Sequence, residues 1–70
     1  MKNFNERLKE LRIKKELSLL ELAKATNISQ NSLARWEDGE AVPRAKNFVV
    51  LVKFFCVSAD YLLGRTDDYS

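Results

Sequence analysis

Histidine is absent from this chain, and its 70 residues include one cysteine, one proline and two glycines. So few turn formers leave little room for a sheet with many tight connections, which points to an all-α fold. The single thiol, Cys56, excludes an internal disulfide. Without histidine that thiol also leaves too few ligands for a structural zinc, so no metal and no other cofactor is expected. The longest apolar run, FVVLV at 48–52, is too short to span a bilayer. The opening MKNFNERLKE lacks the apolar stretch of a signal peptide. A soluble cytoplasmic protein that binds no membrane is the expectation. There is no glycine-rich phosphate loop and no serine or cysteine beside a plausible base, so neither an enzyme nor a small-molecule binder is expected.

Hydrophobic residues make up 46% of the chain and aromatics 10%, enough for one small folded domain near the lower size limit for a self-sufficient core. The net charge of +2 is too small to announce a polyanion partner. Its distribution is uneven. Residues 1–15 carry six bases and two acids, 16–43 two and five, and 44–70 four and three. Basic ends flank an acidic middle, so any contact with a polyanion must be local.

Three places repeat one pattern, an apolar residue before a serine and a leucine four residues after it. They are Leu17-Ser18…Leu22, Ile28-Ser29…Leu33 and Val57-Ser58…Leu62. The serine hydroxyl accepts from an orphaned amide at a helix start, and the flanking apolar pair staples across it. Glu21 completes a capping box with Ser18, as Glu6 does with Asn3. These signals predict five helices: about Phe4 to Lys15, Leu19 to Thr26, Gln30 to Glu37, Arg44 to Phe55 behind Pro43, and Ala59 to Leu63 before Gly64. Asn27 is the expected left-handed residue between the second and third. Residues 1–64 form the domain, and the tail 65–70, which has no apolar periodicity, is expected to fray.

The second and third helices, each about two turns long and joined by about three residues, make a helix-turn-helix over about 18–37. Leu33 and Trp36 fall three apart and point to the core, so Trp36 is read as packing rather than base stacking. Gln30, Asn31, Ala34 and Arg35 point the other way. Amides pair with adenine, a guanidinium pairs with guanine, and a small alanine permits close approach to a thymine methyl. These four are the candidate base-reading residues, with the third helix in the major groove of double-stranded DNA.

The stretch RLKELRIKKELSLLELAKATNISQNSLARWEDGEAVP, followed by LVKFFCVSADYLLG, resembles the lambda-repressor/Cro-like family, also called xenobiotic-response-element-type regulators. The resemblance covers about Asn5 to Gly64. It implies a compact five-helix domain that binds operator DNA, usually as a two-fold dimer, and it supports Gln30, Asn31 and Arg35 as reading positions. It places phosphate contacts at Ser32, at Arg44 and Lys46, and at the start of the second helix. There Leu19, standing where the family often has glutamine, offers only its backbone amide. It also implies a partly buried pair, Arg12 with Glu37. Glu16, Asn27 and Cys56 occupy places where many members have glycine, so the helices ending at Glu16 and Cys56 are expected to end differently.

Two readings concern the fourth helix, whose FVVLVKFF is apolar almost all round. Val50 and Phe54, with Tyr61, are the candidate dimer surface. In the alternative reading the chain is a helical protein-interaction module that uses this surface together with Leu19 and Leu20. Cys56, in an apolar run, is read as an inert buried thiol.

Overall fold

The computed structural model describes residues 2–68, with helices α1 (Phe4–Lys14), α2 (Leu19–Thr26), α3 (Gln30–Glu37), α4 (Ala45–Phe55) and α5 (Ala59–Leu63). Among the described residues there is no strand. The local reasons are those legible in the chain. Asn3 Oδ1 accepts from the Glu6 amide and Ser18 Oγ from the Glu21 amide, and each glutamate returns a bond to the cap's own amide. Ser29 and Ser58 cap α3 and α5 with the hydroxyl alone, accepting from the Ser32 and Tyr61 amides. α4 differs. It begins one residue later than expected, and Arg44 stands at its N-cap without a side-chain cap bond.

Four helices end alike. Behind α1, Leu17 N donates to Arg12 O and Glu16 N to Ile13 O. The same paired bonds close α3 at Gly39, α4 at Cys56 and α5 at Gly64, with the intervening residue left-handed. Glu16 (φ 58°) and Cys56 (φ 55°) therefore adopt the conformation glycine would take, contrary to the expectation that these ends are built differently. The connections leave no alternative. Leu17 closes α1 and is also the apolar staple of α2, and Val57 does the same between α4 and α5. One apolar side chain, half-buried at Leu17 and buried at Val57, thus serves two helix termini.

The principal contacts run in a ring, α1 on α3, α3 on α2, α2 on α4, α4 on α5 and α5 back on α1. Each helix sends one leucine, fully enclosed, into the centre: Leu8, Leu22, Leu33, Leu51 and Leu62. A side chain of this size contributes about 1.5–3 kcal/mol when so buried. Leu11, Ile28, Trp36, Phe55, Val57 and Tyr61 complete the same cluster. Tyr61 is 4% exposed, so it cannot belong to a dimer surface. α5 packs its ring inward, where the Arg7 guanidinium lies 3.9 Å from the ring centroid. Cys56, expected to be buried, is not. Its left-handed position at the end of α4 turns the thiol outward, and it is exposed.

The tail expected to fray is held over its described part. Arg7, itself buried, donates to Tyr61 O (3.1 Å), Thr66 O (2.9 Å) and Asp67 Oδ1 (2.5 Å), and Arg65 N donates to Asp60 O. Residues 69 and 70 lie outside the described residues. Gly64 packs against the chain's other end. A Cβ there would run into the Lys2 carbonyl oxygen and stand 3.1 Å from Asn3 Cα.

Candidate nucleic-acid interface

α3 is held on two sides. Its inner face buries Leu33, Trp36 and Glu37 against α1 and α2. Arg12 of α1 makes a two-point contact with Glu37, Nε to Oε2 at 2.7 Å and Nη2 to Oε1 at 3.0 Å. Its third nitrogen donates to Leu17 O in the α1–α2 turn, at 2.8 Å. One guanidinium thereby fixes the last turn of α3 relative to α1 and to the start of α2. The Glu37 hydrogen bond holds the Arg12 guanidinium even further above neutrality than usual, against the opposing pull of burial. The acidic group at the end of α3 is thus turned inward and paired.

The outer face is then set by helical geometry. At about 100° per residue, Gln30, Ala34, Asn31 and Arg35 occupy an arc of about 140°. Gln30, Asn31 and Arg35 are exposed and Ala34 is half-buried. None of the three long side chains is spent on a hydrogen bond or ion pair with another described residue, so their donors and acceptors face solvent. The connection Asn27–Ser29 brings α2 and α3 together in three residues, with Asn27 left-handed (φ 60°) and Ile28 buried beneath it. Major-groove width, about 12 Å, matches the outer diameter of one α-helix.

Around this face the helix starts differ in what they offer an anion. At α2 the Glu21 carboxylate already sits on the Ser18 amide, and that hydrogen bond, with the one from the Ser18 side chain, holds it below the usual carboxylate range. A phosphate approaching the Leu19 amide would therefore meet a fixed negative charge. At α3 the Ser29 hydroxyl accepts from Ser32 N and donates to Ser32 Oγ (2.8 Å), which leaves the Ser32 proton to point outward. At α4 no side chain claims the first-turn amides, and Arg44 and Lys46 are exposed beside them.

A family model described as helix-turn-helix matches residues 8–62. The chain belongs to this lambda-repressor/Cro-like helix-turn-helix family. Two relatives share the domain. The HTH-type transcriptional activator BcrR of Enterococcus faecalis is 37% identical over 61 residues, which is 87% of this chain and 30% of that protein. An uncharacterised HTH-type transcriptional regulator of Bacillus subtilis (strain 168), YobD, is 35% identical over 63 residues, 90% of this chain and 56% of that protein. The chain thus spans little more than half of one relative and under a third of the other.

On the fourth helix the candidate dimer residues are partly covered. Val50 and Phe54 are half-buried against the core, Phe54 edge-on to Phe55 at 5.0 Å with the Lys15 ammonium over its ring. Val49, on another side of α4, is 48% exposed. The buried Arg7 is a residue that sequence reasoning missed. An arginine between Glu6 and Leu8 in an amphipathic helix carries no local sign that its partners are 54 to 60 residues away. Among the described residues no helix is long and apolar enough to cross a membrane.

Proposed function

We propose that this chain is the sequence-specific DNA-binding domain of a cytoplasmic transcriptional regulator, with α3 lying in the major groove of double-stranded DNA. The observation that carries this reading is the split of α3. Leu33, Trp36 and the Arg12–Glu37 pair fix its inner side, while Gln30, Asn31 and Arg35 project without internal partners. A rigidly held helix with an uncommitted amide-and-guanidinium face suits base reading, because base edges reward donors and acceptors that lose little freedom on binding. Ala34 lets the helix axis approach. Phosphates are gripped by Arg44 and Lys46 with the unclaimed amides of α4, and by the Ser32 hydroxyl. The Leu19 amide contributes less, since Glu21 stands beside it. Two copies act together on a two-fold operator.

Enrichment from a random pool of duplex DNA tests this directly. The expected outcome is a defined half-site, bound with an affinity that falls steeply as salt rises. A pool that emerges as random as it entered would overturn the reading.

A further inference from the structure

Two hydrogen bonds join Ser29, the N-cap of α3, to Ser32 one turn on. The Ser29 hydroxyl oxygen accepts from Ser32 N at 3.0 Å, and its proton goes to Ser32 Oγ at 2.8 Å. Capping needs only the first of these, since that bond alone satisfies the orphaned amide. The second acts on the Ser32 side chain. A hydroxyl has one proton and two lone pairs, and here one lone pair of Ser32 is taken by Ser29. No described residue accepts the proton of Ser32. The carbonyl one turn back, Ser29 O, is already engaged by Leu33 N at 3.1 Å.

The place of Ser32 on the helix says what that proton can meet. It lies about 60° around the axis beyond Arg35, between the outward arc and the buried Trp36. Accordingly it is half-buried, at the flank of α3. A helix seated in the major groove turns its outward arc to base edges and its flanks to the groove walls, which are sugar and phosphate. Phosphate oxygens accept hydrogen bonds and donate none. A hydroxyl with its proton outward suits them, and one with its lone pairs outward repels them.

We propose that Ser29 is a positioning residue for DNA binding: by giving its proton to Ser32 Oγ, it holds Ser32 as a donor aimed at the phosphate backbone. Ser29 itself touches no phosphate. The bond removes the reversed arrangement, in which Ser32 would donate to Ser29 and present lone pairs to the DNA, so the contact is made with little ordering left to do. This proposal rests on the DNA-binding reading.

A double-mutant cycle tests it, with affinity read by fluorescence anisotropy on a duplex selected from the random pool and on an unrelated duplex. Ser32→Ala should lose about tenfold on both alike. Its salt dependence should be unchanged, because the lost group is neutral. Ser29→Asp keeps a good cap and adds a charge that helix N-termini favour, so it should melt no lower than wild type. Yet a carboxylate only accepts, so it turns the Ser32 proton inward. Its charge also repels DNA, but that repulsion acts with or without the Ser32 hydroxyl, whereas the reversal needs it. Ser29→Asp should therefore cost at least about fivefold more in the presence of Ser32 than in the Ser32→Ala background. Ser29→Thr keeps both cap and donor and should bind within about twofold of wild type.

An equal cost of Ser29→Asp in the two backgrounds overturns the positioning role and leaves the DNA reading standing. So does a Ser29→Thr variant as weak as Ser29→Asp, a Ser32→Ala variant that binds as wild type does, or a Ser32→Ala loss confined to the selected duplex. Wild type that binds no duplex at all overturns both.

Discussion

Replacing Glu37 by glutamine keeps the shape of the side chain and removes its charge. The Glu37 side chain is 5% exposed and that of Arg12 13%, so the guanidinium left behind remains charged in a site that water barely reaches. Breaking such a pair from one side costs about 3–5 kcal/mol. The lower end applies here, about 3 kcal/mol, because Arg12 keeps its bond to Leu17 O and glutamine still offers one acceptor oxygen. For a domain of this length, total stability is about 3.5–10 kcal/mol, so the substitution removes a third or more of it. The melting temperature should fall by about 12–24 °C. Trp36, the single tryptophan and next to Glu37, is 6% exposed and reports unfolding by its fluorescence in a urea titration. The midpoint should move without a change in slope. Arg12→Met should cost a similar amount, and the double variant less than the sum by about 2 kcal/mol. Stability of Glu37→Gln within about 0.5 kcal/mol of wild type, or a coupling that small, would show that α3 is not held by this pair.

Four further outcomes are expected. Arg35→Ala should melt as wild type does yet lose about 1–3 kcal/mol on the selected site and relax the preference at one base pair, as read by rebinding a randomised library. Arg44→Ala should weaken all sequences alike, and its plot of log affinity against log salt should be shallower by about 0.9. Gly64→Ala combines a left-handed backbone (φ 81°) with a collision against the Lys2 carbonyl, so urea unfolding should show a loss of more than about 2 kcal/mol. Cys56→Gly relieves a left-handed non-glycine residue and should gain up to about 1 kcal/mol in the same assay, while the native thiol of wild type should react with an aromatic disulfide without denaturant.

The helices were legible because their causes lie within four residues. Ser18 with Glu21 and Ser29 with Ser32 interact across one turn, and a one-turn interaction is visible in spacing alone. The inward and outward sides of α3 were legible for the same reason, since Leu33 and Trp36 needed only the helical period to be assigned to the core. The left-handed ends at Glu16 and Cys56 were misjudged because residue preference argued against them. The apolar C-terminal neighbours, Leu17 and Val57, gain enough burial to impose the turn anyway. Which side of α4 would be covered was not legible, because seven apolar residues interrupted only by Lys53 do not reveal which of them other helices will cover. Packing against α2 and α5 decided that, burying Leu51 and Phe55, half-burying Val50 and Phe54, and leaving Val49 out.

Sequence alone determined where the rods begin and stop and, α4 excepted, which stripe is oily, because capping, stapling and periodicity act over a few residues. Tertiary structure decided what those rods do to one another. Arg7 became a clamp on the C-terminal segment, and Tyr61 its cover. Such partners are remote along the chain and meet only when five helices close their ring, so no local pattern could have announced them.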